Sequence, residues 1–339
     1  MPESKRIVFF GTPDFAVPSL DALVKGGFDV AAVVTATDKP AGRGHKLLPS
    51  AVKQYALQHD IEVLQPDKLR DEAFLSRLRD INADLFVVIA FRMMPEVVWS
   101  MPRLGTFNLH GSLLPAYRGA APINWAVING ETKTGVTTFF LSHEIDTGDI
   151  IDNRSIDISP DENAGSVHDR LMEVGAELTL ATANAIFNNT VKATPQSEII
   201  KECGVAPCPA PKIFRDTCRI DWNRDARSIH NFVRGLSPYP AAVATMLVDG
   251  KETEVKILET KLDTGSEHTS VLSDNLDSQV SSSIPGHIES LIDPATRKPA
   301  LRVATGQGHL FITRLQIPGK RPVTPIDLAN GNIHISSLI

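Results

Sequence analysis

The densest concentration of chemically capable side chains is Phe107-Asn108-Leu109-His110-Gly111-Ser112-Leu113-Leu114-Pro115, continuing through Ala116-Tyr117-Arg118-Gly119-Ala120-Ala121-Pro122. With Gly105–His110 read as a strand, side-chain alternation puts Asn108 and His110 on one face. An amide donor beside an imidazole could hold the oxygen of a carbonyl under attack. The glycine and proline that follow force the chain off the sheet and around a cavity. A second segment, Ser142-His143-Glu144-Ile145-Asp146-Thr147-Gly148-Asp149, reads locally as a turn carrying several ionisable groups. Each has a plainer reading. An Asn–His pair at a strand end can simply bond loop backbone, since buried polar groups need partners in any case. Acids in turns are routinely solvated.

Other chemistries find less support. His110, His143 and Asp146 have no compact metal-ligand spacing, and Cys203-x4-Cys208 in a proline-rich stretch reads as two unrelated thiols. No metal is expected. The turn after the first strand, Gly11-Thr12-Pro13, lacks Gly-x-Gly-x-x-Gly, which argues against a nicotinamide dehydrogenase.

The surrounding elements determine where these groups sit. In the first half, short apolar runs alternate with helical patterns. Strands are predicted at Arg6–Phe10, Val30–Val34, Glu62–Leu64, Asp84–Ala90, Gly105–His110, Val136–Leu141 and Ile150–Ile158. Helices are predicted at Phe15–Val24, Ser50–His59 with Ser50 as N-cap, Arg70–Ile81 and Asn163–Phe187. Asp84–Ala90 is apolar on both faces, as strands inside helix-covered parallel sheets are. Strand–helix alternation gives a doubly wound α/β domain, whose ligands sit at the carboxyl ends of its strands. The Asn–His pair falls at such an end.

Val205–Pro211 holds three prolines and reads as a stiff linker. Beyond it the pattern is mostly β: Ala242–Val248 and Thr253–Leu262 flank the hairpin dipeptide Asp249-Gly250, followed by His287–Ile292, Ala300–Thr305 and His309–Gln316. Such short strands suggest a small barrel. Thr264–Pro285, rich in Ser, Thr and Asp, reads as a long loop. The expected organisation is a Rossmann-like α/β domain over 1–190, a linker over 191–212 and an OB-like β-barrel over 213–339.

Composition narrows the class. The 339 residues suggest two domains. An apolar share of 42% and a charged share of 22% exclude collagen-like, coiled-coil and wholly disordered readings. No apolar run approaches the ~18 residues of a membrane span, and the N-terminus reads as neither signal nor transit peptide. Three cysteines suit a reducing cytoplasm. Residues 1–206 carry a net charge of −7 and residues 207–339 of +1, which argues against a general nucleic-acid coat. Two local basic strips remain: Lys39, Arg43 and Lys46 with His45, and the series Lys212, Arg215, Arg219, Arg224, Arg227, Arg234.

Taken together, Phe107–Pro122 and the downstream Asp146-Thr147-Gly148 closely resemble the formyltransferases that use 10-formyltetrahydrofolate. The resemblance implies a Rossmann-like domain and a catalytic set of Asn108, His110 and Asp146, the first two stabilising an oxyanion and the third orienting the imidazole or taking a proton through water. It also implies 10-formyltetrahydrofolate as donor substrate, its pocket wall shaped by Ser112, Leu113, Leu114 and Pro115. Asp38-Lys39-Pro40-Ala41-Gly42-Arg43-Gly44-His45-Lys46-Leu47, running on into Leu48–Lys53, looks like the insertion with which some members grip a tRNA acceptor stem. On that reading Lys39, Arg43 and Lys46 bind tRNA. Arg219-Ile220-Asp221-Trp222, Val303–Gly308 and Pro318-Gly319-Lys320-Arg321 with Asp327-Leu328 resemble those members' barrel domain. The likeness spans roughly residues 5–331, broken at 264–285. It departs at Phe91-Arg92-Met93-Met94-Pro95, where Tyr-Gly is usual beside the folate pocket. The implied reaction is formyl transfer to the α-amine of methionyl initiator tRNA for translation initiation, by a cytoplasmic monomer with no membrane partner. A sugar-nucleotide N-formyltransferase using the same donor is the alternative. A non-catalytic folate- or RNA-binding module is a third reading, against which the intact Asn108, His110 and Asp146 set speaks.

Overall fold

β-branched and aromatic runs form the strands β1 (Arg6–Gly11) and β2 (Asp29–Val34) at the start of the chain. A short hairpin follows, β3 (Lys39–Ala41) with β4 (Lys46–Leu48), and then β5 (Glu62–Leu64), β6 (Leu85–Ile89) and β7 (Thr106–His110). This is a computed structural model, describing residues 5–41, 46–204, 207–263, 284–293 and 296–337. Strands β1, β2, β5, β6 and β7 pair in parallel. After a two-residue strand β8 (Arg118–Gly119), β9 (Lys133–Phe140) and β10 (Ile150–Asp157) extend the sheet antiparallel. The order is β10-β9-β7-β6-β1-β2-β5. All five residues of β6 are buried, as its two-sided apolar run predicts.

The connecting helices include α1 (Val17–Lys25), α2 (Ala51–Gln58), α3 (Glu72–Ile81), the one-turn α4 (Glu96–Trp99), α5 (Pro122–Ile128) and α6 (Ala164–Phe187). Ser50 caps α2 as expected, its hydroxyl accepting from the Lys53 N–H at 3.1 Å. Asp71 does the same for α3. Phe74, Leu75, Leu78 and Ile81 of α3 lie on one stripe that packs with Val8, Phe10, Phe86 and Val88. Sequence periodicity misses α5, α4 and the short α7 (Gln196–Cys203), whose apolar faces are too brief to show a period. The linker stretch is not bare chain: besides α7 it holds β11 (Pro209–Ala210), which pairs with β8.

The chain divides into two compact units. One is Met1–Pro122 with Lys133–Asp157 and His168–Pro211; the other is Ile123–Thr132 with Ile158–Val167 and Lys212–Ile339. In the second, α8 (Ala226–Leu236) precedes six antiparallel strands: β12 (Ala242–Val248), β13 (Lys251–Leu262), β14 (Ile288–Ile292), β15 (Pro299–Ala304), β16 (His309–Gln316) and β17 (Ile335–Ser336). The helix α9 (Pro325–Asn330) precedes β17. Their order is β14-β15-β16-β13-β12-β17. The sheet curls until its ends meet, where Ser337 Oγ and His287 Nδ1 lie 3.3 Å apart, giving the near-barrel that the strand pattern predicts. Asp249 and Gly250 both take positive φ and close the β12–β13 hairpin. Most of the Ser/Thr-rich loop, 264–283, lies outside the described residues.

Helix α8 changes the reading of the second basic strip. Ile229, Val233 and Leu236 enter the core with Val255, Ile257, Val303 and Leu310, but the helix also buries His230, Asn231 and Arg234. Arg234 is only 6% exposed and donates to Asn231 Oδ1 at 2.9 Å and the Glu162 carbonyl at 3.0 Å. Arg215 and Arg219 both pair with Glu254. The series is therefore not one continuous cationic surface.

His230, 2% exposed, is satisfied in its neutral form. Its Nε2–H reaches the Pro160 carbonyl at 3.4 Å and Asp161 Oδ1 at 3.3 Å, and its Nδ1 accepts from the Thr260 hydroxyl at 3.0 Å. Burial pushes the imidazole pKa down, and the neighbouring Arg234 and Arg227 act in the same direction against the pull of Pro160 and Asp161. A group held below its unfolded value of ~6.5 stabilises the fold above that pH and loses the contribution as pH falls below it. Thermal unfolding measured from pH 7.5 to 5 should show the wild-type Tm falling on acidification. His230→Gln should start from a lower Tm and give a flatter slope over the same range; parallel slopes would rule out His230 as the titrating group.

Candidate active site

Strand β7 carries both members of the Asn–His pair to the carboxyl end of the parallel sheet. Its register sets Asn108 opposite Val88 of β6 and Phe139 of β9, and His110 opposite Thr137. The two side chains leave the same face, about 7 Å apart along the strand. Phe107 and Leu109 point the other way into the core. Asn108 is half-buried, and among the described residues its side-chain amide has no hydrogen-bond partner. His110 differs: its Nε2 donates to the Tyr117 carbonyl at 2.8 Å. That bond assigns the Nε2 proton and leaves Nδ1 as the ring atom facing the site.

Nδ1 faces Asp146, whose Oδ2 lies 3.8 Å away, the two side chains being 8% and 11% exposed. The same Oδ2 accepts the Gly119 N–H at 2.9 Å. Thus the loop after β7 contributes a carbonyl to the imidazole and an amide to the carboxylate. To do so the chain turns through positive φ at Tyr117 (60°) and Gly119 (127°), and Asp146 itself sits at 55°. Gly119 also permits close approach: a Cβ there would stand 2.5 Å from the Ala210 carbonyl oxygen. A Cβ on Gly148 would collide with the Phe140 carbonyl oxygen, so Asp146-Thr147-Gly148 tolerates no larger third residue.

The residues predicted to wall the folate pocket have mostly gone inward. The Ser112 side chain is fully buried, its hydroxyl donating to the Ala116 carbonyl at 2.7 Å. Leu114 packs with Phe139 and Ile150. Leu113 lies over Gly135, and Pro115 is buried. The hydroxyl of Thr137, on β9, donates to the Ser112 carbonyl at 2.7 Å and accepts the Leu114 N–H at 3.1 Å. It braces the loop from beneath. Sequence reading passed over Thr137, a threonine in a run of strand residues with nothing local to mark it.

A cleft of about 370 Å³ opens on the Asp146 side, lined by Phe140, Leu141, Ser142, His143, Glu144, Thr147, Gly148 and Asp149. The departing segment Phe91–Pro95 is held by Arg92, which donates to the carbonyls of Pro66 and Asp67. Met93 is exposed and Met94 buried.

Of the residues predicted to bind tRNA, Lys39 and Lys46 sit on the paired strands β3 and β4, where Ala41 stands opposite Lys46 and Lys39 opposite Leu48. Arg43 lies outside the described residues. The base of this hairpin is braced: Lys53 Nζ donates to Asp38 Oδ2 and Gln65 Oε1, both at 2.7 Å, and Gln65 Nε2 donates to Asp38 Oδ1 and the Ala36 carbonyl. These bonds hold the Asp38 carboxyl below its ordinary pKa. Among the described residues no cluster of three His, Cys, Asp or Glu is placed to hold a metal, and no helix is long and apolar enough to cross a membrane.

Comparison with known proteins places the whole chain in a family. Residues 5–182 match the formyl transferase family and residues 212–332 the formyl transferase C-terminal domain. The methionyl-tRNA formyltransferase of Bacteroides fragilis is 51% identical over 330 residues, covering 97% of this chain and 95% of that protein. The methionyl-tRNA formyltransferase of Flavobacterium johnsoniae is 46% identical over 329 residues, covering 97% and 96%. Among solved structures, HypX from Aquifex aeolicus in complex with tetrahydrofolic acid aligns at TM-score 0.60 and 19% identity, over 97% of this chain and 47% of that one. The sugar 3N-formyl transferase WlaRD aligns at TM-score 0.61 and 19% identity, over 94% of this chain and 100% of that one. At that identity the two structures speak for the fold alone, while the family matches and the close relatives cover both halves of the sequence: the chain belongs to the formyl transferase family, among the methionyl-tRNA formyltransferases.

Proposed function

We propose that this enzyme transfers the formyl group of 10-formyltetrahydrofolate to the α-amino group of methionyl initiator tRNA, with Asn108, His110 and Asp146 as its catalytic groups. The observation that carries the residue assignment is the imidazole of His110, fixed through Nε2 by the Tyr117 carbonyl and turning Nδ1 to a carboxylate 3.8 Å away. Asn108 supplies an uncommitted amide on the same strand face. The close relatives favour tRNA as acceptor; the sugar-nucleotide enzymes share only the fold.

The chemistry follows from these positions. An α-amine with a pKa near ~7.7 is substantially neutral at cytoplasmic pH and can attack the formyl carbon. As the new C–N bond forms, the carbonyl electrons move to oxygen. The Asn108 amide and, in the imidazolium form of His110, its Nδ1–H meet that oxyanion from preset positions. The amine proton leaves to Asp146 through a water. As the oxyanion electrons re-form the carbonyl, the bond from the formyl carbon to N10 breaks, N10 takes the proton that Asp146 received, and tetrahydrofolate is released. No covalent enzyme intermediate is needed.

Ser112, Leu113, Leu114 and Pro115 serve the donor by fixing the loop backbone that walls its pocket, since their side chains are largely turned inward. Lys39, Arg43 and Lys46 serve the tRNA, with residues 213–339 as an assisting barrel domain. The reading is of a monomer, working in the cytoplasm where charged tRNA is made.

Asn108→Ala removes one oxyanion donor and should lower kcat on the order of 10²–10³-fold with donor affinity nearly unchanged. Equal losses in donor binding and in turnover would assign Asn108 to binding instead. Labelled formyl transfer offered methionyl initiator and methionyl elongator tRNA in parallel should mark the initiator, and absence of label from both, with donor still bound, would redirect the search to amino-sugar nucleotides. Arg43→Ala should raise KM for tRNA and flatten its salt dependence. Transfer to a small α-amine acceptor should be unaffected, and a matching loss there would remove Arg43 from tRNA recognition.

A further inference from the structure

Between the two family-matched segments, 5–182 and 212–332, lies a connector that neither match covers. Its Gln196, the first residue of α7, is 3% exposed. All four hydrogen-bonding positions of its amide are used. Nε2 donates to the carbonyls of Asp146 at 2.9 Å and Gly148 at 2.8 Å. Oε1 accepts from Arg118 Nε at 3.1 Å and from a terminal guanidinium nitrogen at 2.6 Å. We propose that Gln196 is a positioning residue for the reaction, holding the Asp146-Thr147-Gly148 turn and the Arg118-Gly119 loop in the register that sets the Asp146 carboxylate against His110. This rests on the catalytic role of Asp146 proposed above.

The geometry supports action through Asp146 rather than through packing alone. Asp146 adopts a left-handed backbone that non-glycine residues seldom take, and needs external bonds to stay there. Gln196 supplies one at the Asp146 carbonyl, while Gly119, next to the Arg118 that Gln196 also binds, supplies one at the carboxylate. The backbone and the side chain of one acid are thus tied to a single buried amide and its partner. The connector is itself anchored on both sides of Gln196. Thr194 exchanges two backbone bonds with Ile150, at 2.8 and 2.9 Å, and the Ala210 carbonyl accepts from Ala121 N–H at 3.2 Å. Gln196 therefore acts from a fixed base.

The test is a double-mutant cycle on the full chain, with Gln196→Leu, Asp146→Asn and the two combined, assayed for formyl transfer to methionyl initiator tRNA. Gln196→Glu is the second single variant: it keeps an oxygen for Arg118 and removes both donations. Each single Gln196 variant should lower kcat about 10- to 100-fold, the scale of a misplacement near 1 Å, with both KM values within about twofold. In the Asp146→Asn background the same Gln196→Leu change should cost less than about threefold, because the group it positions is gone. Hydrogen exchange at the Gly119 amide should quicken in Gln196→Leu while the Tm of the variant stays above the assay temperature. An equal cost in both backgrounds, or a loss confined to KM, would overturn the positioning role. If Asp146→Asn alone retains full kcat, the catalytic reading of Asp146 fails, and that single variant identifies which of the two claims has fallen.

Discussion

The His110 imidazole is held by one backbone carbonyl and faced by one carboxylate, and most of the local architecture follows from satisfying that constraint. A neutral ring has one donor and one acceptor nitrogen, and the environment decides which is which. Here the Tyr117 carbonyl accepts the hydrogen bond from Nε2–H. To bring that carbonyl back over β7, the chain must leave the strand, reverse within seven residues and pass through positive φ at Tyr117. To bring a carboxylate to Nδ1, a second turn must come from beyond β9 with Asp146 at positive φ. Neither conformation is stable by itself. Each persists because neighbouring groups over-determine it.

Those groups are buried, polar and fully bonded, as a low-dielectric surrounding requires. Thr137 uses its hydroxyl as donor and acceptor to join two points of the first loop. Ser112 closes the same loop on Ala116. Gly119 and Gly148 contribute by what they lack, since neighbouring carbonyls occupy the space a Cβ would need. The proposed catalytic face is thus built less from pocket-lining side chains than from backbone held in unusual places. The buried state of Ser112, Leu114 and Pro115 fits that description.

Much of this was legible in the sequence, for identifiable reasons. A strand buried on both faces, such as Leu85–Ile89, advertises itself by an unbroken apolar run, and Ser50 and Asp249-Gly250 mark a helix start and a hairpin through local backbone chemistry. Asn108 and His110 were visible because a two-residue spacing on a strand puts them on one face. Gln196 was invisible: its partners are Arg118, Asp146 and Gly148, 48 to 78 positions away, and no local pattern records such a meeting. Arg234 was visible as a charge but not as a buried one. Its partners Asn231 and Glu162 come together only when α8 packs against the 158–167 segment within the second unit. Charge can be counted along a chain, whereas burial is a property of the fold.

The route of the connector has a consequence for how such an enzyme can be recombined. A stretch rich in proline between two independently matched segments looks like the natural crossover point for exchanging one module for another. Thr194, Gln196 and Ala210 are nevertheless bonded into the first unit, two of them beside the turns that carry the proposed catalytic groups. A chimera spliced anywhere from Thr194 to Ala210 would inherit foreign residues inside the scaffolding of its proposed active site. Only a junction past Pro211, where the first unit ends, leaves that scaffolding native. Modularity in this chain begins later than its linker does.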